Sequence, residues 1–289
     1  MKCDSCPRAC GIDRTVGVGY CGVGKEFLIA RAALHPWEEP PISGKNGSGT
    51  VFFAGCNLRC VYCQNREISR GGKGTPMTVE ELGAVCLNLQ KQGAGNLNFV
   101  TPTHYAARLP DLLRKIRPEL TIPVVYNCGG YEKVETLRGL CGLVDIYLPD
   151  CKYYDSGLSA RLSGAADYFT VFTDALGEML RQVGEVRYTE DGRMAKGVLV
   201  RHLVLPGCRK DSIRILTELA ERFGTNAFLL SLMRQYTPEF ATDAKDPNLH
   251  RRVTTFEYES VLDHAVKLGF TGFCQSGSSA SSDFTPVFS

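Results

Sequence analysis

From Thr50 onward, apolar runs of six to eight residues recur along the chain, and between them apolar residues return every three or four positions. The first pattern fits buried strands and the second fits amphipathic helices. It predicts strands at 50–55, 96–101, 122–127, 143–148, 198–205 and 227–233. Helices are expected at about 78–92, 106–117, 131–140, 165–182, 211–223 and 254–268. Thr78 offers a capping hydroxyl for the first helix, and Pro110 suits a first helical turn. Such alternation implies an α/β fold of parallel strands joined by helices. Six strands cannot close a full eight-stranded barrel, so a partial (β/α)6 TIM-like barrel or a doubly wound sheet remains.

Residues 1–49 lack this rhythm apart from a strand candidate at 27–34, and they are rich in Cys, Gly and Pro. They read as a Cys-rich, metal-binding N-terminal extension to a barrel at 50–289. The extension ends in GKNGSG, 44–49, which lacks the spacing of a phosphate-binding loop because Lys45 comes too early and a strand follows. A hairpin or linker fits it better. The Ser-rich tail 276–289 carries Phe284 and Phe288, which suggests docking.

The formal net charge is +2, with no basic stripe, which argues against polymeric nucleic acid as a partner. There is no 18-residue apolar run, and the N-terminus lacks the apolar core of a signal peptide. Thirteen cysteines without a secretion signal point to a reducing, cytoplasmic setting where thiols bind metal. Six are scattered (Cys86, Cys128, Cys141, Cys151, Cys208 and Cys274) and read as small apolar side chains.

The other seven form two tight groups. Cys56, Cys60 and Cys63 follow the first strand at spacing C-x3-C-x2-C. Four thiolates would close a 4Fe–4S cluster, whereas three leave one iron open to a substrate or cofactor. Their position at a strand's C-terminal end is where parallel α/β folds build active sites. Cys3, Cys6, Cys10 and Cys21 form a second set, C-x2-C-P-x2-C-x10-C, which can close around either zinc or a second Fe–S cluster.

With this triplet, a Tyr before the third Cys and a preceding strand, the chain resembles the radical S-adenosylmethionine (radical SAM) superfamily. The segments CPRACGIDR, LHPWEEPPISG, NFVTPTHY, DIYLPDCKYY, VRHLVLPG and LMRQYTP resemble the branch of pyruvate formate-lyase activating enzymes. The resemblance implies a partial barrel holding a 4Fe–4S cluster on Cys56, Cys60 and Cys63. It also implies S-adenosyl-L-methionine chelated to the fourth iron and cleaved by one electron to a 5′-deoxyadenosyl radical. A flavodoxin- or ferredoxin-type reductant would supply that electron.

Under that resemblance, Tyr62 and Asn65 beside the triplet are expected to contact the cofactor. The second strand ends in Thr101-Pro102-Thr103 where many members carry Gly-Gly-Glu, so hydroxyls and carbonyls would have to take the ammonium group. His104 is expected in the pocket as a hydrogen-bonding or proton-donating group. Asn127 would contact ribose or carboxylate, and Asp150-x-Lys152 would face the carboxylate of S-adenosylmethionine. His104, Asp150 and Lys152 are thus the expected catalytic residues. Strand alternation places Arg201 and His202 on opposite faces; both are cofactor candidates, with Arg201 favoured, and Gln235 closes the adenine side. The substrate reads as a small molecule, such as a modified nucleoside or sugar in a lyase or salvage reaction. The alternatives are a glycyl-radical protein activated by this chain, or a non-catalytic Fe–S electron carrier.

Overall fold

The structure is a computed structural model and describes residues 2–242 and 244–274. The expected docking of Phe284 and Phe288 lies outside the described residues. The chain runs β1 (Phe27–His35), α1 (Pro40–Ser43), β2 (Ser48–Phe53), α2 (Arg66–Ser69), β3 (Thr75–Met77), α3 (Val79–Lys91), β4 (Leu97–Val100) and α4 (Leu109–Ile116). It continues β5 (Val124–Cys128), α5 (Val134–Arg138), β6 (Ile146–Pro149), α6 (Ser156–Ser163), α7 (Tyr168–Val183), β7 (Arg187–Tyr188) and β8 (Met194–Leu203). It ends α8 (Arg209–Phe223), β9 (Leu229–Met233), α9 (Thr255–Leu268) and β10 (Gly272–Cys274). Thr78 caps α3 in a capping box with Glu81, and Pro110 lies in the first turn of α4.

All six expected strands form, and they pair in parallel in the order β2-β4-β5-β6-β8-β9. That order never reverses. A doubly wound sheet must reverse at a switch point, whereas a barrel adds each new strand on the same side. The expected partial barrel is therefore the architecture. β10 extends the parallel sheet, and β1 pairs antiparallel with β2, so the sheet takes in residues that the sequence places in the extension. Gly47 completes the β1–β2 connection, and Ser48 and Gly49 already pair with β1, so this stretch is not a phosphate loop.

Alternation sorts the strand side chains into two layers. Val51, Phe53, Phe99, Tyr126, Tyr147, Val198, Val200 and Leu230 belong to the large core shared with the helices. The opposite set, Val125, Ile146, Leu148, Leu199 and Leu229, packs around Ile42 of α1. The loop between β1 and β2 thus pushes α1 into the barrel interior, where the Asn96 amide donates to the Ile42 carbonyl at 2.6 Å. A partial barrel without this plug would leave one end of an apolar interior wet. Above it the interior turns polar, and that layer carries the site.

Candidate active site

The C-terminal strand ends surround a cavity of about 260 Å³, near the lower end of the roughly 300–1,000 Å³ usual for small-molecule sites. Cys56, Cys60 and Cys63 stand on its wall together with Tyr62, Asn65, Thr101, Asn127, Asp150, Lys152, Arg201 and Gln235. Eleven of the expected residues, drawn from six strand ends, thus meet in one place. Glu38 and Glu39 close the cavity from the α1 side.

The triplet loop leaves β2 and is held from behind. The Ser163 hydroxyl of α6 donates to Cys60 Sγ at 2.9 Å, and Ser163 is 2.7 Å from Tyr153, which is 2.7 Å from Tyr62. The backbone N–H of Leu58 points at Cys56 Sγ at 3.4 Å. Burial raises the Cys56 and Cys63 thiols, and neighbouring cysteines raise them further, Cys63 to about 12. Lys152 offsets this only in part, and bound iron would supply the remaining positive charge. Among the described residues no group of three or more His, Cys, Asp or Glu side chains is placed to hold a single ion. A cubane spreads its ligands over separate irons, so three half-buried thiols on one wall suit a 4Fe–4S cluster.

Beside the triplet lies a ladder of four charges. Lys152 Nζ is 2.8 Å from Asp150 Oδ2, and Arg201 Nε is 2.7 Å from Asp150 Oδ1. Arg201 Nη1 lies 3.4 Å from Glu38 Oε1, and its Nη2 donates to Asn127 Oδ1 at 2.7 Å. Amides of Asn98 and Asn127 donate to Glu38 Oε2 at 2.6 and 3.1 Å. The ladder is mostly buried: Glu38 shows 10% of its side-chain surface and Lys152 19%. Burial works against every charge here, yet Arg201 and Lys152 together hold the Asp150 carboxyl below its ordinary range. Burial likewise opposes the Lys152 ammonium, but Asp150 and then Cys60 keep its pKa above normal. Buried Glu39 moves the other way: burial raises it, against the pull of Arg201, and the Ser231 hydroxyl donates to it at 2.9 Å.

Three expected pocket residues are not on the cavity wall. Thr101 has φ +58, an unusual value for a β-branched residue, and it bends the chain at the end of β4. The turn that follows buries Thr103 and His104 behind the sheet. Thr103 donates to Glu132 at 2.6 Å. The His104 ring lies 2.9 Å from the Ala54 carbonyl, and burial lowers it to about 3, so it is a neutral packing group rather than a proton donor to the cavity. His202, on the outer face of β8, meets the Cys151 carbonyl at 2.7 Å, and burial lowers it to about 4. Its neighbour Arg201 faces inward, as the alternation required.

Sequence reasoning missed Glu38, Glu39, Asn98 and Ser163. Asn96 and Asn98 alternate with Leu97 and Phe99, so an inward polar row was visible there. Glu38–Glu39, placed between Trp37 and Pro40–Pro41, gave no periodic signal. His35 and residues 37–40 line the cavity, whereas α6 and residues before β1 pack behind the triplet loop.

Comparison with known proteins agrees with this geometry. The radical SAM superfamily pattern matches residues 50–164, which contain the triplet. Uncharacterized protein MJ0674 of Methanocaldococcus jannaschii is 30% identical over 276 residues, covering 92% of this chain and 75% of that protein. A radical SAM methyltransferase from Sphaerobacter thermophilus shares the fold with a TM-score of 0.51 at 13% identity, over 78% of this chain and 66% of that one. SuiB of Streptococcus suis, bound to S-adenosylmethionine, gives 0.51 at 13% identity, over 76% and 48%. The chain thus spans about two thirds and about half of those two structures. It belongs to the radical SAM superfamily, and membership implies a 4Fe–4S cluster and S-adenosylmethionine. Among the described residues no helix is long and apolar enough to cross a membrane.

Proposed function

We propose that this chain binds S-adenosylmethionine against the Cys56–Cys60–Cys63 wall and turns its radical chemistry on a small polar substrate inside the barrel. One observation carries the reading: the triplet and the Lys152–Asp150–Arg201–Glu38 ladder share a cavity whose far end is filled by α1. When bound, the cluster supplies the electron that splits the sulfonium C–S bond. The chain's own residues bind, orient and exclude water. Lys152 supplies a buried positive charge for the cofactor carboxylate, and Asp150 holds Lys152 and Arg201 in place. The carbonyl and hydroxyl of Thr101 stand where a carboxylate is missing and accept from the ammonium group. Asn65 and Gln235 offer amides to the nucleoside.

A filled barrel end and a cavity of this size favour a small substrate over a protein loop. Glu38 and Arg201, deep in the cavity, select for polar groups. The sequence segments quoted above support placement near the pyruvate formate-lyase activating enzymes, with activation of a glycyl-radical protein as the competing reaction. Thirteen unpaired cysteines support work in the reducing cytoplasm, with a flavodoxin or ferredoxin as one-electron donor. The test is calorimetric titration of the iron- and sulfide-reconstituted protein with S-adenosylmethionine, followed by reduction and assay for 5′-deoxyadenosine. Saturable binding and product are expected. No binding would leave only an Fe–S carrier, and radical transfer to a glycyl-radical protein would replace the small substrate.

A further inference from the structure

The head, residues 2–26, contradicts ordinary burial rules. Val16 is 86% exposed, Val18 62% and Tyr20 36%, whereas Cys3, Cys6 and Cys21 are 9%, 6% and 3% exposed. Val23 and Cys21 do join the main core, but from Cys3 to Tyr20 the thiols of Cys3 and Cys6 are buried while the valines are not, the reverse of what hydrophobic packing would give. Regular structure does not hold it either: its ladder pairing is the single bridge between Lys2 and Asp13. What its turns do is gather thiols. The Cys3 N–H donates to the Ile12 carbonyl at 2.8 Å, the Gly11 N–H donates to the Cys3 carbonyl at 3.0 Å, and the Ala9 N–H returns to Cys6 at 3.0 Å. Cys10 Sγ and Cys21 Sγ both lie within 3.4 Å of the point a Cβ on Gly19 would occupy.

We infer that Cys3, Cys6, Cys10 and Cys21 are the ligands of one metal centre, zinc or a second Fe–S cluster, that cross-links the head and fastens it to the back of the triplet loop. A segment too small to bury a core needs a cross-link of this kind. The bare thiols are not in chelating geometry; the turns bring them together, and metal draws the sulfurs inward. The fastening is visible. The Cys56 N–H donates to the Cys21 carbonyl at 3.3 Å, joining the first ligand of one group to the last of the other. Arg8, two residues past Cys6, donates to the Asn57 carbonyl at 2.7 Å and to the Ser163 carbonyl at 2.9 Å. Ser163 is the residue that holds Cys60.

The test needs no S-adenosylmethionine chemistry, so its failure is separate from failure of the proposed function. Protein carrying Cys56→Ala, Cys60→Ala and Cys63→Ala together is purified without oxygen and analysed for iron, zinc and acid-labile sulfide. About one zinc per chain, or iron with matching sulfide, is expected. Adding Cys10→Ser, an exposed position, removes the metal, whereas Cys141→Ser, exposed elsewhere, does not. A folded triple variant without metal overturns the inference, as does equal metal loss in both serine variants. If the variants fail to fold, the unaltered protein still decides. Cys10 should resist alkylation until a chelator strips the metal, while Cys141 reacts at once; equal reactivity of the two before chelation overturns the inference.

Discussion

The triplet stands in a loop whose front faces buried charges and whose back is packed, whereas the four head cysteines stand in a segment that exposes Val16 and Val18. Both groups place thiols at close spacing, and the surroundings separate their roles. Around the triplet, β2, α6 and hydrogen bonds with Arg8 and Cys21 fix the backbone, so the thiols are free to hold a cluster with one open position. In the head, Cys21, Val23 and the Arg8 hydrogen bonds tie the segment to the barrel, and the inferred metal would supply the rest of the cohesion. Cysteine spacing nominates metal sites, and burial of the neighbours tells a reactive site from a structural one.

The sharpest way to break this comparison is substitution in the triplet. Cys56→Ala, Cys60→Ala or Cys63→Ala should each abolish reductive formation of 5′-deoxyadenosine, because alanine cannot ligate iron. Residual product from any of the three would undo the assignment of the open site.

The charges beside the triplet come next. Arg201→Leu leaves Asp150 and Glu38 buried without their shared partner, and losing one member of a buried pair costs about 3–5 kcal/mol. Urea unfolding reads this directly, and an unchanged midpoint would put the ladder in water.

Behind the head, Glu132 is buried against Thr103 and Tyr126 and within electrostatic reach of Cys6 and Cys128. Burial raises its carboxyl to about 7 from its usual 4.5, so the folded state holds the proton more tightly than the unfolded chain. That stabilisation is complete below about pH 4.5 and is lost as the pH rises to about 7, a change of about 3 kcal/mol. Glu132→Gln should flatten stability over that interval, and an unaltered pH slope would show that another group causes it.

Smaller effects sharpen the contrast. Lys152→Met removes one charge-assisted bond to the cofactor, worth about 1.5–3 kcal/mol, and should weaken S-adenosylmethionine binding about ten- to a hundredfold. Calorimetry with the cluster-loaded variant checks this; an unchanged Kd would confine Lys152 to holding Asp150. Gly19→Ala places a methyl 3.3 Å from Cys10 Sγ and 3.4 Å from Cys21 Sγ. It should lower head metal content at a stability cost on the order of 1 kcal/mol and leave triplet iron unchanged. Loss of triplet iron instead would merge the two groups into one site.

Much of the site was legible because strand ends carry chemistry in a parallel barrel. Asn127, Asp150 and Lys152 were nominated from the ends of apolar runs and Arg201 from strand alternation and the family resemblance, and all four line the cavity. His104 was nominated by the same logic and failed, since the left-handed Thr101 redirects the chain after β4 and no local pattern announces that bend. His202 shows the opposite case: strand alternation had already put it on the face away from Arg201.

The order of strands and helices, the open cysteine triplet and the charged strand ends were determined by the sequence itself, because they rest on periodicity and on neighbours a few residues apart. Only the tertiary structure decided that the barrel does not reverse, that α1 plugs it and that Glu38 completes the ladder. Glu38 meets Asn127 across 89 positions and Arg201 across 163. Contacts at that separation follow from closing the sheet and excluding water from its interior, and no local stretch of the chain encodes them.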